Sequence, residues 1–265
     1  MKSERSFRFT HAISRLPGNS VAKGIRVSGK SDPDPEVFSK QHKSYIQALA
    51  TAGVEPIVLP KLEEFPDSVF VEDAALCFDG SVVLLRPGAE SRFGEAAALE
   101  PHLQETFDSV IKFQGTGRVD GGDILLTDSH ALIGLSERTD IDGINGIKSA
   151  LEAHGYGIRI VKTPAGVLHF KSDCGLLDSK TIFSTKRLAS SGCFDGYTVI
   201  EVPDLEEAAA NLIRVNDYVI LRSGFPKSTA LLEQRGYETI TVGVDEAAKI
   251  DGGLSCLSLR FTLNQ

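Results

Sequence analysis

Several sequence features that mark other protein classes are absent from this chain of 265 residues. Its four cysteines, Cys77, Cys174, Cys193 and Cys256, form no CxxC pair, which argues against a structural zinc site. Neither GxGxxG nor GxxxxGK[ST] occurs, so a nucleotide cofactor has no recognisable phosphate loop. No apolar run approaches the roughly 20 residues of a membrane span, and the first ten residues contain no apolar signal-peptide core. We therefore expect a cytoplasmic protein with free thiols.

The net charge of the chain limits the classes of partner that it is expected to bind. A formal net charge of -8 argues against nucleic acid or an anionic membrane as the main partner. Charged residues make up 24% and hydrophobic residues 42%, which is ordinary for a globular protein. The length suffices for one large domain or two small ones.

Three segments share a plan in which an amphipathic run ends at a glycine and a β-branched run follows at once. They are IQALATAGVEPIVLP (46–60), IKSALEAHGYGIRIV (147–161) and TALLEQRGYETITV (229–242). Glycine suits the left-handed position that ends a helix, so Gly53, Gly155 and Gly236 predict three helix ends. Ile144, Ile147 and Leu151 fall on one face of the second helix.

Four further segments read as strand, turn and strand. They are FVEDAALCFDGSVVLLRP (70–87), VDGGDILLTDSHALIGL (119–135), HFKSDCGLLDSKTIFS (169–184) and IRVNDYVILRSG (213–224). Hairpin turns are predicted at Asp79-Gly80, Asp128-Ser129 and Asp178-Ser179. An aspartate opens three of these units, at Asp73, Asp123 and Asp173. About five hairpin, helix and strand units fit the length, which indicates a radial or stacked array. The alternative is an ordinary mixed α/β sheet with chance similarity.

Near the end of the chain, KIDGGLSCLSLRF (249–261) places Cys256 behind two glycines and a serine. A buried core cysteine is the default interpretation, and a nucleophile would need an acid/base partner. Among the histidines, His169 stands at the head of an apolar hairpin, whereas His42 and His154 fall on helix faces that read as polar. The alternative for His169 is a hydrogen-bonded structural residue.

Acidic residues gather at the starts of the units. Glu72 and Asp73 are adjacent, and Asp120 and Asp123 bracket two glycines. Carboxylates among apolar strands must be paired or bound to a cation. They could be strand-end caps. A convergent acidic pocket with a thiol and a histidine would instead favour attack on a cationic electrophile.

Six motifs in order closely resemble the dimethylarginine dimethylaminohydrolases, members of the guanidine-modifying or pentein superfamily. They are FPDSVFVEDAALC, RPGAESRFGE, VDGGDIL, GLSERT, VLHFKSDCG and KIDGGLSCLSLRF. The resemblance implies an α/β fold, a five-bladed α/β propeller (pentein) of repeated ββαβ units around a central active site. It also implies a single catalytic domain over residues 1–265 that needs no cofactor and no metal, and it leaves a homodimer open.

The resemblance also implies roles for ten residues. The nucleophile falls on Cys256, the general acid/base on His169, and the carboxylate that orients it on Asp120, where several relatives carry glutamate with a longer reach. The residues implied in substrate binding are Ile25, Asp67, Glu72, Asp73, Arg92, Arg138 and Ile250. Without the family, Arg92 and Arg138 could equally be surface salt-bridge partners. Ile25 belongs to an implied lid, LPGNSVAKGIRVSG (16–29).

The implied activity is hydrolysis of N-omega-methylated arginines to citrulline plus dimethylamine or methylamine, through a covalent thiouronium on Cys256. Related deiminases that act on unmethylated guanidines carry H-x-D at the catalytic histidine, whereas this chain has HFK with Lys171. The closest rival is therefore an arginine or agmatine deiminase. A non-catalytic guanidine-binding protein on the same fold is the more distant one.

Overall fold

Each repeated unit of the sequence folds into a small three-stranded sheet in the computed structural model, which describes residues 4–26, 31–78 and 80–263. Every sheet contains two antiparallel strands and a third strand that lies parallel to the second, and in four of the five sheets the antiparallel pair is a hairpin. A helix connects the second strand to the third, because parallel neighbours need a crossover connection. The unit is thus ββαβ, as predicted.

Fifteen strands are found in the described residues. They are β1 His11–Arg15, β2 Glu55–Leu59, β3 Ala75–Phe78, β4 Ser81–Leu84, β5 Ser109–Ile111, β6 Ile124–Leu126, β7 His130–Leu135, β8 Gly157–Lys162, β9 Cys174–Leu176, β10 Thr181–Ser184, β11 Thr198–Glu201, β12 Ile213–Val215, β13 Tyr218–Arg222, β14 Glu238–Val242 and β15 Leu259–Phe261. The α-helices there are α1 Pro35–Thr51, α2 Glu95–Thr106, α3 Ile141–Ala153, α4 Lys186–Ala189, α5 Pro226–Gln234 and α6 Asp245–Lys249. Within this part of the chain, none of the helices combines the length and apolar character of a membrane span.

The two ends of the chain complete one sheet together. Strand β15 pairs antiparallel with β1, with His11 opposite Phe261, and β1 then pairs with β2. The other four sheets are each built from consecutive strands. The last hairpin strand therefore closes the first blade, and the five sheets form the five-bladed propeller. The alternative of one mixed sheet is wrong.

The apolar side chains pack between neighbouring blades, in five separate clusters. Ile13 of the first blade packs with Val82 of the second, and Leu132 of the third with Ile182 of the fourth; all four are fully buried. Burying such a side chain stabilises the fold by about 1.5–3 kcal/mol. These apolar contacts between neighbouring blades stabilise the propeller. The residues around its axis can therefore be polar or charged.

The sequence-based turn and helix-end predictions are confirmed where they can be checked. Gly53, Gly155 and Gly236 have φ values of +87°, +74° and +86°, the left-handed conformation that glycine adopts without strain. The hairpins β6–β7 and β9–β10 turn at Asp128-Ser129 and Asp178-Ser179. Asp79 of the remaining predicted turn lies outside the described residues.

A short 3-10 turn precedes the first strand of every sheet, and these turns meet around the axis. They are Val71–Ala74, Gly121–Asp123, Phe170–Ser172, Glu207–Ala210 and Ser255–Leu257. Side chains at the turn ends link one blade to the next. The carboxylate of Asp73 accepts from the Gly122 amide at 2.9 Å, and that of Asp123 from the Phe170 amide at 2.8 Å. Asp173, in contrast, pairs with Arg187 inside its own blade.

Candidate active site

Eight of the ten predicted site residues line one pocket where the 3-10 turns meet, with about 330 Å³ of space, part of it open to solvent. These eight are Ile25, Asp67, Asp73, Arg92, Arg138, His169, Ile250 and Cys256. Asp120 and Glu72 lie behind this lining. Since the eight residues come from widely separated parts of the chain, it is the closure of the ring that brings them together.

Asp120 holds the imidazole of His169. Its Oδ2 lies 2.8 Å from His169 Nε2, and its Oδ1 accepts from the Gly88 amide at 2.6 Å. Asp120 is fully buried and His169 is 7% exposed. The shorter side chain of aspartate therefore still reaches the ring. With Nε2 engaged by Asp120, Nδ1 is the ring nitrogen left for proton transfer.

The charges around His169 favour its protonated form. Burial alone lowers the pKa of His169, but the Asp73 carboxylate and the hydrogen bond that His169 donates to Asp120 outweigh it and raise the pKa to about 9. Asp73 responds in the opposite sense: burial raises its pKa, yet His169 and Arg92 bring it down to about 2. At neutral pH the pocket thus contains an imidazolium beside an ionised carboxylate.

Cys256 lies in the last 3-10 turn and is 8% exposed. Burial raises the pKa of its thiol to about 12, and the carboxylates of Asp73 and Glu72 add to that rise. The thiol is therefore protonated in the empty pocket. A bound cation would reverse part of this effect, because a positive charge nearby favours the thiolate.

Arg92 is buried and already engaged. Its Nη1 donates to Asp73 Oδ2 at 2.6 Å, and Nε and Nη2 donate to Glu95, with further contacts to two backbone carbonyls. The alternative of a surface salt bridge is wrong for this arginine, which is 4% exposed. With two carboxylates around it, Arg92 has little capacity left to hold a substrate carboxylate, whereas it fixes Asp73 firmly.

Arg138 is the more available guanidinium. It is only partly buried, and its Nη1 lies 3.8 Å from Asp120 Oδ2, which is beyond hydrogen-bond distance. It also lines the pocket. Of the two predicted arginines, Arg138 is therefore the better placed to pair with an anionic group of a ligand.

Asp67, Ile25 and Ile250 form a wall of the pocket. The Asp67 carboxylate accepts from the Ile25 amide at 3.0 Å, and burial raises the pKa of Asp67 although Arg92 opposes the change. A methyl group on Gly24 would lie 3.0 Å from Ile250 and 3.1 Å from Asp67, so these chains are tightly packed. Of the implied lid, residues 27–29 lie outside the described residues.

Glu72 and Lys171 point away from the pocket. Glu72 Oε1 accepts from Lys171 Nζ at 2.6 Å and from Arg260 Nη2 at 3.0 Å, and its buried Oε2 has no partner in the described residues. Lys171 does not line the pocket with Cys256. Lys171 takes the place of the deiminase aspartate in the HFK stretch, but its ammonium pairs with Glu72 and does not face the Cys256 pocket. Because residue 171 is a lysine, this position supplies no carboxylate to the Cys256 pocket.

The sequence reasoning missed other residues. Phe70 and Leu168 line the pocket, and Gly252 lies against the Phe70 ring where a methyl group would overlap it. Asn211 accepts from the Ser255 amide at 3.0 Å and donates to the Lys171 carbonyl at 2.8 Å, which positions the turn of Cys256. One signal could have found it: Asn211 stands just before β12, as the unit-opening aspartates stand before their strands.

His42 was also misread from the sequence. It was expected on a polar helix face, but it is 1% exposed and its Nε2 lies 2.8 Å from Ser14 Oγ. Burial lowers the pKa of His42 to about 4. It is therefore a neutral core residue.

One cluster in the described residues has the spacing of metal ligands. Ligand atoms of Asp73, Asp120 and His169 lie within 4.8 Å of one another. All three already have partners, since Arg92 and Gly122 hold Asp73, and Gly88 and His169 hold Asp120. The three side chains are thus held in one hydrogen-bonded cluster by protein groups.

Known proteins are similar to this chain in sequence and in fold. Residues 21–171 match the family model described as N,N dimethylarginine dimethylhydrolase, eukaryotic. The N(G),N(G)-dimethylarginine dimethylaminohydrolase of Pseudomonas aeruginosa is 38% identical over 254 residues, 96% of this chain and 100% of the relative. The P. aeruginosa enzyme solved as a cysteine-to-serine mutant with citrulline gives a TM-score of 0.92 at 38% identity, with 96% and 100% coverage. A histidine-to-glycine dimethylarginine dimethylaminohydrolase, solved as an adduct with S-methyl-L-thiocitrulline, gives 0.91 at the same identity and coverage.

Proposed function

The chain belongs to the dimethylarginine dimethylaminohydrolase family, and from this premise we propose that it hydrolyses N-omega-methylated arginines to citrulline plus dimethylamine or methylamine. The observation that carries the proposal is the pocket itself, where a thiol, an oriented imidazolium and buried carboxylates face one space. The citrulline complex and the thiocitrulline adduct of the related enzymes support it.

The binding step is proposed as follows. Asp73, held by Arg92, accepts hydrogen bonds from the unmethylated side of the guanidinium, and Asp67 adds negative charge at the wall. Arg138 pairs with the carboxylate at the other end of the substrate, where the planar guanidinium fork suits bidentate contact. Glu72 acts from behind the pocket, through its charge and its unpaired Oε2.

The first chemical step needs a thiolate and an acid. The positive charge of the bound guanidinium lowers the pKa of Cys256, the thiol proton passes to solvent water, and the sulfur attacks the central guanidinium carbon. His169 donates its proton to the departing amine, because an amide ion could not leave. The carbon–nitrogen bond breaks, and an S-alkylthiouronium remains on Cys256.

The second step regenerates the enzyme. Neutral His169 takes one proton from water as the oxygen attacks the thiouronium carbon. The resulting hydroxyl loses its second proton to solvent as the carbon–sulfur bond breaks, which gives citrulline and the Cys256 thiolate. Asp120 keeps the ring oriented throughout, at 2.8 Å from Nε2. His169 thus gives one proton to the leaving amine and takes one from water, and solvent receives the thiol proton and the second proton of that water.

The rival deiminase activity is separated by substrate preference. We expect kcat/KM to be higher for monomethylarginine and asymmetric dimethylarginine than for arginine, because no described carboxylate demands a donor from the methylated nitrogen. Arginine would bring N–H donors to this side, where they would have no carboxylate acceptor among the described residues. An unpaired buried polar group costs about 1–3 kcal/mol, which corresponds to about a tenfold to hundredfold preference for the methylated substrates over arginine. If arginine is the best substrate and ammonia the product, the deiminase interpretation replaces this one.

Cys256→Ser tests whether the protein is catalytic at all. We expect turnover to fall below about a hundredth of wild type, since a hydroxyl lacks the thiol's acidity and nucleophilicity. A larger residual rate would remove Cys256 from the mechanism. Binding of citrulline without any turnover in the wild type would support a guanidine-binding protein instead.

We also propose that residues 1–265 form one catalytic domain in the cytoplasm. The shared sheet of β1 and β15 supports the first point, because neither end can leave without opening a blade. The four cysteines are all free, which supports the second.

A further inference from the structure

A second cavity lies on the axis, on the side of the 3-10 turns opposite the Cys256 pocket. It contains about 920 Å³ of space, part of it open to solvent. Its walls are the first strands of the five blades, each of which contributes an apolar side chain. These are Leu76, Leu125, Leu176, Ile213 and Leu259.

The charged residues of this cavity are mostly basic. Four cationic side chains, Arg5, Lys171, Arg214 and Arg260, line it together with one acid, Glu72. The formal charge of the lining is therefore positive, although the whole protein carries -8. Lys171 and Arg260 both donate to Oε1 of Glu72, at 2.6 Å and 3.0 Å. A lysine ammonium has three donors, so Lys171 has N–H donors at this end of the cavity that Glu72 Oε1 does not use.

The same 3-10 turns face both cavities. Neighbouring residues of one turn point in opposite directions, with one member lining the axial cavity and the other the Cys256 pocket. Two pairs show this, with the axial-cavity residue first: Glu72 and Asp73, and Ser255 and Cys256. In a third turn, Phe170–Ser172, Lys171 lines the axial cavity, while His169, which directly precedes the turn, lines the Cys256 pocket. The charged end of the axial cavity is thus only one layer of backbone away from the thiol.

We propose that the axial cavity is a second binding site, for a small organic carboxylate with an apolar tail. Its carboxylate contacts Lys171 and Arg260, and its tail lies along the apolar side chains of the five first strands. Apolar walls with a few convergent polar groups are the usual composition of a small-molecule site. A cation would meet four like charges there, and an uncharged molecule would form no ion pair with the basic groups.

An occupant of this site acts on the thiol through charge. The Glu72 carboxylate raises the pKa of Cys256, and the Lys171 ammonium lowers it. A carboxylate that pairs with Lys171 brings further negative charge close to Cys256 and disfavours the thiolate. We therefore expect a bound carboxylate to slow the alkylation of Cys256 by iodoacetamide.

The test uses hexanoate as the probe and 1-hexanol as its uncharged counterpart, with binding followed by calorimetry. The background is Arg138→Gln, because Arg138 is the least engaged cation of the Cys256 pocket and the one best placed to hold hexanoate there. We expect saturable binding of hexanoate that is at least tenfold tighter than that of hexanol, together with slower alkylation. The proposal is overturned if the two probes bind equally, or if hexanoate binds the wild type but not Arg138→Gln.

A second variant locates the site. Arg214 lines the axial cavity and is not among the residues that line the Cys256 pocket, and its Nε donates to the Asn216 carbonyl. Arg214→Glu should weaken hexanoate binding about fivefold or more, since it replaces attraction by repulsion. Lys43→Glu makes the same charge change on an exposed position of α1 and should leave binding unchanged. Equal losses in both variants would mean a general charge effect and no axial site.

Discussion

The substitution Gly122→Ala tests how closely the site is packed around the imidazole. The Gly122 amide donates to Asp73, and a methyl group at its Cα would lie 2.7 Å from His169 Nδ1, 2.9 Å from Cγ and 3.0 Å from Asp73 Oδ1. Ordinary contacts of such a methyl begin near 3.4 Å. The ring must therefore move by about 0.7 Å, the difference between 3.4 and 2.7 Å, or turn away.

The expected loss follows from that displacement. The methyl group would cover Nδ1, the nitrogen that transfers protons, while Asp120 holds Nε2 on the other side. A misplacement of about 1 Å can reduce a rate about 10²-fold, and general acid–base catalysis as a whole is worth about 10²–10⁴-fold. We expect kcat of Gly122→Ala to fall about 10- to 100-fold, with a smaller change in KM.

Gly243→Ala is the matched control. Its new methyl group would meet its nearest neighbour, Gln41, at 3.7 Å, an ordinary contact. Both variants are assayed with asymmetric dimethylarginine, and their thermal unfolding is recorded. Alkylation of Cys256 shows whether the pocket is intact. If the folded Gly122→Ala enzyme turns over within twofold of Gly243→Ala, the proton does not pass through a ring packed on Gly122.

The remaining predictions concern the groups around this ring. His169→Gly should lose about 10²–10⁴-fold in turnover yet still bind substrate by calorimetry; an intact pH–rate profile would transfer the role elsewhere. Asp120→Asn should lose less, and the alkaline limit set by His169, near its pKa of about 9, should move to lower pH in that variant. In the empty wild type, iodoacetamide alkylation of Cys256 should keep rising beyond pH 10, because the thiol pKa is about 12; a plateau near pH 8.5 would contradict this. The charged His169 stabilises the fold fully below pH 6.5, its ordinary pKa, and this contribution is lost through pH 9. The stability difference between wild type and His169→Gly in denaturant titrations should therefore shrink as the pH rises over this window.

The local features of the fold could be predicted because they depend on neighbouring residues. A glycine that follows an amphipathic run ends a helix wherever it stands, and Gly53, Gly155 and Gly236 do so. The recurrence of aspartate before three hairpins indicated the repeat, and the repeat indicated the radial array. The order of the motifs indicated the family, and with it the positions of Cys256 and His169.

The direction of each side chain could not be predicted in the same way. Neighbouring residues of one 3-10 turn face different cavities, and which cavity each one faces depends on how the five turns meet. Lys171 therefore pairs with Glu72 behind the pocket, although it is only two residues from His169. The partners of Arg92 also depend on the tertiary structure, because its guanidinium pairs with Asp73 and Glu95.

The sequence by itself determined the repeat, the helix ends, the hairpins and the family motifs, since each of these is encoded within a few residues. Only the tertiary structure decided that Arg138 is the available guanidinium, that His42 is a core residue and that Asn211 supports the turn of Cys256. The physical reason is burial and pairing. Whether a charged or polar group is free depends on partners that lie far away along the chain and arrive only when β15 closes the ring against β1.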